Sequence, residues 1–179
     1  MSVLHGPRVS LRSRRDEDLD PFAALNADRR VMEHFPQVLT REESAAMIGR
    51  MQAGIDSRGW GNWALEVDRR CIGFVGLSVP AFDAHFIPCT EVGWRLAFDA
   101  WVRRYATEAA RLALAYGFAA AGLAEIVSFT ALRNGRSRAV MRRIGMSHAP
   151  ADDFDHPRPP GHPLQRHVRD RLRRTNWRS

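Results

Sequence analysis

The segment from Leu96 to Glu108 has the residue types of a phosphate-binding site. A strand-like run ends at Leu96, a short connection follows, and an alanine-rich helix is predicted to begin near Tyr105. The amino-terminal end of such a helix presents backbone N–H groups without intrahelical partners and the positive end of the helix dipole. Arg103 and Arg104 add two positive charges there. The pattern indicates an anion site, although two arginines on a solvated loop account for the charges equally well.

A second polar cluster, Asp152-Asp153-Phe154-Asp155-His156, contains side chains of the kinds that bind metal ions. One histidine beside carboxylates in a proline-rich stretch is more typical of a solvated loop than of a metal centre. Cys71 and Cys89 are isolated, which argues against a zinc motif and against a disulfide framework. We therefore assign no metal and expect a reducing, cytoplasmic environment.

Length and composition indicate one ordinary domain over residues 1–179, because 45% hydrophobic residues suffice for one core. The 27 Lys and Arg against 20 Asp and Glu give a charge of +7, which suits anionic partners but also simply aids solubility. The longest nearly uncharged stretch, 112–124, is shorter than the roughly 20 apolar residues of a membrane span, and no signal peptide is visible. No helix-turn-helix, zinc-finger or RNA-recognition pattern supports the minority hypothesis, a nucleic-acid-binding module using the arginine-rich tail.

Hydrophobic periodicity and turn residues predict the elements that position these candidates. A capping box, Thr40-Arg-Glu-Glu43, predicts the start of a helix that ends before Gly59. Strands and helices alternate in the middle of the chain, which predicts a parallel pair of strands crossed over by one long helix. The helices are expected over 16–27, 41–58, 105–121 and 136–143, and the strands over 9–12, 62–67, 72–79, 90–96, 126–130 and 167–172.

Several segments together resemble one known family. Glu91-Val-Gly-Trp-Arg-Leu96, followed by Trp101-Val-Arg-Arg-Tyr-Ala-Thr-Glu-Ala109, is similar to the acetyl-CoA motif of the GNAT acetyltransferases, in their RimJ/RimL-like branch. Cys71-Ile-Gly-Phe-Val-Gly76 resembles the third strand of that family. Asn134-Gly-Arg-Ser137 and Met141-Arg-Arg-Ile-Gly-Met146 resemble its Asn-x-x-Ser helix and the glycine that follows. The similarity spans about residues 8–172, in the family's order.

The resemblance implies a mixed α/β (α+β) fold, in which a mostly antiparallel central sheet contains a splayed parallel pair and is flanked by about four helices. It implies an N-acetyltransferase that moves the acetyl group of acetyl-CoA to a primary amine by direct attack. The acceptor would be a protein N-terminus or a small amine. A non-catalytic or impaired CoA-binding protein of the same fold is the alternative, and a homodimer is compatible with the family.

The resemblance also implies roles for single residues. The pantetheine arm would pair with backbone near Leu96, and Glu91 would take a proton from the incoming ammonium. Asn134 and Ser137 would flank the thioester, where Ser137 would stabilise or protonate the departing thiolate. Ser137 as a helix cap and Glu91 as a surface carboxylate paired with an arginine are the alternatives. The amides that would hold the pyrophosphate are those of Arg103, Arg104, Tyr105, Ala106 and Thr107.

The sequence departs from the family at the phosphate loop. Val102 and Arg104 stand where the family usually has glycine, and a residue with a Cβ resists positive φ by roughly 1–2 kcal/mol. Either these side chains take the space of the phosphates, or Arg104 turns outward and binds a phosphate itself.

Two further features of the sequence carry expectations. Arg169 and Asp170 interrupt the last strand, which predicts that it is short or lies at an edge. Five large aromatic side chains are candidates for an acceptor pocket, although core or loop packing is the more common role of such residues. They are Trp60, Trp63, Phe82, Phe86 and Trp101.

Overall fold

A computed structural model describes residues 3–157 and 161–178. Nine strands form one sheet: β1 (Leu4–His5), β2 (Ser10–Arg12), β3 (Asn62–Val67), β4 (Arg70–Ser78), β5 (Glu91–Leu96), β6 (Glu125–Ala131), β7 (Ser147–His148), β8 (Phe154–Asp155) and β9 (Arg166–Arg173). Their order is β1-β2-β3-β4-β5-β6-β9-β7, and β8 pairs with β9. Among the described residues, only the β5–β6 pair is parallel. The expected mixed, mostly antiparallel sheet is confirmed.

Four helices flank the sheet: α1 (Leu19–Ala27), α2 (Arg41–Arg58), α3 (Tyr105–Ala119) and α4 (Gly135–Arg143). The capping box at the start of α2 is confirmed, since Thr40 Oγ1 accepts from the Glu43 N–H at 3.1 Å and Glu43 Oε2 accepts from the Thr40 N–H at 2.8 Å. Gly59 ends the helix with φ of 78°. Local signals therefore fixed these boundaries.

The core lies in two layers, one on each face of the sheet. Neighbouring residues on β4 point to opposite faces, so Val75 packs in the cluster under α3 and α4, whereas Phe74 packs in a smaller cluster under α1 and α2. The larger cluster includes Leu11, Trp63, Val75, Leu77, Val92, Leu114, Ile126 and Met141. The smaller consists of Phe22, Leu25, Val31, Met51 and Phe74. No helix among the described residues is long and apolar enough to cross a bilayer.

The last strand differs from the expectation of a short or edge strand, which was wrong. β9 is eight residues long and pairs with β6 at seven positions while β7 and β8 cover its other side. The charges are tolerated because each has a partner. Arg169 donates to Asp152 Oδ1 at 2.7 Å, and Asp170 Oδ1 lies 2.9 Å from His148 Nδ1.

Candidate active site

The parallel strands β5 and β6 touch at only one end. Their recorded pairing is Glu91 with Val127, whose N–H donates to the Thr90 carbonyl at 2.9 Å. Against β4, by contrast, β5 pairs at all six positions from Glu91 to Leu96. The two parallel strands therefore separate toward Leu96 and leave a wedge-shaped opening, narrow at Glu91 and wide at the start of α3.

Backbone groups of β5 face this opening. The Ala97 N–H donates to the Ile72 carbonyl at 2.9 Å, and the peptide groups of an antiparallel strand alternate in direction. The peptide groups of Trp94 and Leu96 consequently point away from β4 and toward β6. The Leu96 carbonyl accepts a hydrogen bond from the indole Nε1 of Trp101 at 3.0 Å, which leaves its N–H and the Trp94 peptide for an extended ligand.

The connection into α3 has a left-handed backbone at the two positions that lack the expected glycines. Val102 has φ of 58° and Arg104 has φ of 65°. Each such residue costs roughly 1–2 kcal/mol, which the surrounding fold must offset. The Val102 side chain is wholly exposed, and the side chains of Arg103 and Arg104 are exposed as well.

The first turn of α3 fits a phosphate. Its first helical hydrogen bond runs from the Glu108 N–H to the Arg104 carbonyl at 3.1 Å, so the amides of Tyr105, Ala106 and Thr107 have no partner in the helix. Among the described residues, the buried hydroxyl of Thr107 also has no hydrogen-bond partner. An anion in this turn would satisfy both kinds of donor.

Arg8 holds this turn from the far end of the sequence. Its backbone N–H and its guanidinium both bind the Glu108 carboxylate, at 2.7 and 2.8 Å, and Nη1 donates to the Arg103 carbonyl at 3.1 Å. The guanidinium also lies 5.1 Å from the centre of the Tyr105 ring. Sequence reasoning missed this residue, because nothing local to Arg8 signals a contact with α3.

Glu91 lies at the narrow end of the opening and is half-buried. Ser78 Oγ donates to its Oε2 at 3.3 Å, and within residues 3–157 and 161–178 it forms no ion pair, so the arginine-paired alternative is not what the structure has. Burial raises the pKa of Glu91 to about 8, and the hydrogen bond from Ser78 opposes that rise. The carboxyl is thus mostly protonated at neutral pH and becomes a base just above it.

Asn134 and Ser137 lie together at the start of α4, near the wide end of the opening. Asn134 Oδ1 accepts from the Ser137 N–H at 3.1 Å, and Asn134 Nδ2 donates to Thr130 Oγ1 at 3.0 Å. The capping role considered for Ser137 therefore belongs to Asn134, whose side chain fixes α4 to the end of β6. The half-buried Ser137 hydroxyl is not the cap.

A row of contacts crosses the wide end of the opening. The Arg136 guanidinium lies 4.5 Å from the centre of the Trp101 ring and 2.5 Å from Glu33 Oε2, which ties α4 to the α1–α2 connection. The same side chains line a groove of about 390 Å³ together with Arg29, Arg30 and Phe98. No sequence motif pointed to Glu33, and the exposed Arg136 had no role assigned to it within the Asn134-Gly-Arg-Ser137 motif.

The five aromatic residues considered for an acceptor pocket do not converge, so that hypothesis was wrong as a single site. Trp63 is fully buried against Tyr116. Phe82 and Phe86 pack with Phe129 and Phe154 beyond β6, whereas Trp101 belongs to the wide end of the opening. Likewise, no group of three or more His, Cys, Asp or Glu side chains in the described ranges is placed to hold a metal ion.

Comparison with known proteins agrees with this geometry. The sequence profile described as acetyltransferase (GNAT) domain matches residues 8–147. The FsC-acetyl coenzyme A-N(2)-transacetylase of Aspergillus fumigatus is 28% identical over 182 residues, covering 98% of this chain and 77% of that protein. Comparison of the fold with solved structures is a separate line of evidence.

Several solved structures share the fold. A GNAT-family acetyltransferase from Bacillus anthracis superposes with a TM-score of 0.80 at 22% identity, covering 97% of this chain and 99% of that one. The Vibrio fischeri ribosomal-protein-S5-alanine acetyltransferase gives 0.77 at 14% identity over 100% of both chains. Mycobacterium smegmatis RimJ, solved with CoA-disulfide, gives 0.76 at 17% identity, covering 92% and 81%. Since the profile matches well over half of its residues, the chain belongs to the GNAT family of N-acetyltransferases.

Proposed function

We propose that this enzyme transfers the acetyl group of acetyl-CoA to a primary amine by direct attack, without a covalent enzyme intermediate. The observation that carries the proposal is the left-handed backbone at Val102 and Arg104, directly before the open first turn of α3. Strain of this kind persists where function requires the conformation. Bound acetyl-CoA supplies the thioester carbonyl that the amine attacks.

Coenzyme binding is assigned to the wide end of the opening. The backbone of Leu96 and Trp94 would pair with the pantetheine amides, and Asn134 would approach the arm from α4. The pyrophosphate would lie on the amides of Tyr105, Ala106 and Thr107, with Arg103 and Arg104 adding charge. The buried Thr107 hydroxyl, which has no hydrogen-bond partner in the described part of the chain, supports this placement.

Proton transfers are assigned to Glu91 and Ser137. An amine attacks only in its unprotonated form, and a half-buried carboxyl with its pKa raised to about 8 is suited to take that proton at slightly alkaline pH. Ser137 would donate a hydrogen bond or a proton to the departing thiolate. Orientation of the two reactants within the opening would supply much of the rate.

The names of the relatives suggest a general class of acceptor. The Vibrio fischeri protein is named for alanine of a ribosomal protein, and the Aspergillus fumigatus protein for an N(2) position, so both a protein N-terminus and a small amine are compatible. We further propose that residues 1–179 act as one cytoplasmic domain, with a homodimer as the assembly to test by light scattering.

Calorimetric titration with acetyl-CoA, and in parallel with CoA, tests the coenzyme site. We expect saturable binding of one molecule per chain, followed by amine-dependent release of free thiol. No binding at millimolar acetyl-CoA would refute the coenzyme assignment. Binding without thiol release across a broad amine panel would instead favour a non-catalytic CoA-binding role.

A further inference from the structure

Glu91, Gly93 and Arg95 lie on one face of β5. Side chains alternate along a strand, and Val92, between the first two, packs in the core cluster under α3. Arg95 Nη1, in contrast, donates to Asn26 Oδ1 of α1 at 2.7 Å. The three residues therefore face α1 and the α1–α2 connection, on the side of the sheet opposite α3.

The Glu91 carboxyl is the one group among the described residues that lies over Gly93. A Cβ placed on Gly93 would have only one side chain within 4 Å among the described residues, the Glu91 carboxyl, with Oε1 at 3.7 Å. The Cα atoms of Glu91 and Arg95 are roughly 13 Å apart in extended strand, so the two polar groups flank Gly93. A small molecule lying along β5 would reach both.

Arg95 is a buried cation without an anion. It is 8% exposed, and among residues 3–157 and 161–178 no carboxylate forms an ion pair with it and its Nε has no hydrogen-bond partner. The Phe35 ring covers one face of the guanidinium at 4.0 Å, and Phe74 lies 5.6 Å away. Because these rings lie over the guanidinium faces of Arg95, a ligand can bind only at an edge of the group. The edge formed by Nε and Nη2 presents two N–H groups in the geometry that binds a carboxylate.

The protein's other buried arginines are internal controls. Arg12 and Arg169 are 4% and 7% exposed, and each has at least one carboxylate partner. Arg12 binds Asp18 and Glu66, both at 2.6 Å, and Arg169 binds Asp152 at 2.7 Å.

The Nε of Arg169, like that of Arg95, has no hydrogen-bond partner among the described residues, so the carboxylate is what distinguishes the two side chains. Burying a charge without a counter-charge is unfavourable, and Arg95 is the one fully buried arginine among the described residues that has no carboxylate partner, which indicates a missing anion. Within the same part of the chain, Arg14 also has no carboxylate partner, but it is only half-buried and donates to the Asn62 carbonyl at 2.9 Å.

We propose that Arg95 binds a carboxylate of the acceptor, and that the acceptors of this enzyme are amines that carry a carboxylate. The ammonium lies at Glu91, the connecting atoms pass over Gly93, and the carboxylate meets the Nε–Nη2 edge of Arg95. This inference rests on the proposed function and adds the class of substrate to it.

Binding measurements test the inference without turnover. The probes are unbranched ω-amino acids of increasing chain length, each compared with its primary amide, titrated by calorimetry into the protein saturated with CoA. We expect one chain length to bind best and to bind about tenfold or more tightly than its amide, as loss of a charge-assisted bidentate contact predicts. Equal affinity of acid and amide at every length would overturn the inference, and that comparison needs only the wild-type protein.

Two substitutions test whether the preference for acid over amide depends on Arg95. Arg95→Gln removes the charge, and Asn26→Asp, which is nearly isosteric, gives Arg95 an internal carboxylate. Both are expected to abolish the preference for acid over amide while acetyl-CoA affinity is unchanged. Arg50→Gln, on the exposed face of α2, is the matched control and should keep the preference. Thermal melts confirm that each variant is folded.

The outcomes separate this inference from the proposed function. If amines without a carboxylate release thiol as readily as amines that carry one, the proposed class of acceptor is wrong and the acetyltransferase assignment stands. If acetyl-CoA fails to bind at all, the proposed coenzyme site fails first. A preference for the acid that survives in Arg95→Gln would also overturn the role of Arg95.

Discussion

The indole N–H of Trp101 donates to the carbonyl oxygen of Leu96 at 3.0 Å. This bond joins the end of β5 to the residue that enters the left-handed turn before α3. It therefore links the strand proposed to carry the pantetheine arm with the loop proposed to carry the phosphates.

Replacing Trp101 by Phe keeps a ring for Arg136 to stack on and removes the hydrogen bond to Leu96. A hydrogen bond of this kind contributes about 0.5–1.5 kcal/mol, so we expect acetyl-CoA to bind roughly 2- to 12-fold more weakly. Calorimetric titration measures the change. Unaltered affinity would mean that the indole does not hold the loop in its binding geometry.

Restoring glycine separately at the two left-handed positions distinguishes strain from ligand contact. Val102→Gly relieves roughly 1–2 kcal/mol of backbone strain, partly offset by the larger freedom of glycine in the unfolded chain. We expect urea unfolding to show a net stabilisation of about 1 kcal/mol or less, with acetyl-CoA affinity kept.

Arg104→Gly is the matched variant, since it relieves similar strain and also removes a charge. Loss of a phosphate contact should weaken acetyl-CoA binding by about tenfold and make the remaining binding less sensitive to salt. A gain in affinity and activity would show instead that the Arg104 side chain obstructs the site.

These positions illustrate what sequence could and could not predict. The positive φ at Val102 and Arg104 followed from the resemblance to a family that usually has glycine at these positions. Local signals were sufficient for the capping box at Thr40 and for the end of α2 at Gly59. Each depends on a few neighbouring residues. The fold followed because motifs of this kind occur in the order of a known family.

Contacts between residues that are far apart in the chain could not be predicted from the sequence. Arg8 binds Glu108 across a separation of 100 residues, and nothing near either residue indicates the pair. Arg95 was read as one residue of a motif, and its burial without a carboxylate became visible only when Asn26 and Phe35 were placed around it.

Glu91 gives a prediction for pH dependence. Because its pKa is raised to about 8, we expect kcat/KM to rise as pH increases through that value and to flatten above it. Glu91→Gln should lower kcat/KM about 100-fold and remove this rise, in line with the usual contribution of general base catalysis. Activity that depends on pH identically in both proteins would exclude Glu91 as the base.

The same group affects stability with a definite sign. A carboxyl whose pKa is higher in the folded than in the unfolded protein binds more protons when the protein is folded. The contribution of Glu91 to the stability of the folded protein is therefore present at low pH, and it is lost as pH rises from the ordinary glutamate range through about 8. Glu91→Gln should therefore gain stability over wild type as pH is raised from 6 to about 9. Thermal melts at the two pH values measure the difference.

Substitution of Asp152 tests why β9 tolerates the buried charge of Arg169. Its carboxylate binds Arg169 and Arg171, and these contacts lower its pKa. Asp152→Asn leaves Arg169 buried without a counter-charge, which should destabilise the protein by about 3–5 kcal/mol in urea unfolding. Because the pKa of Asp152 is depressed on folding, the wild-type protein should lose this contribution as pH falls below the ordinary aspartate range.

The control is Asp155→Asn, which breaks the exposed pair with Arg166 at 3.4 Å. An exposed ion pair contributes about 0–1 kcal/mol, so this variant should unfold close to wild type. Similar losses in both variants would show that burial of Arg169 is not what makes Asp152 necessary. A large loss confined to Asp152→Asn would establish that the buried Arg169 and the half-buried Arg171 are stabilised by one carboxylate that precedes β9 in the chain.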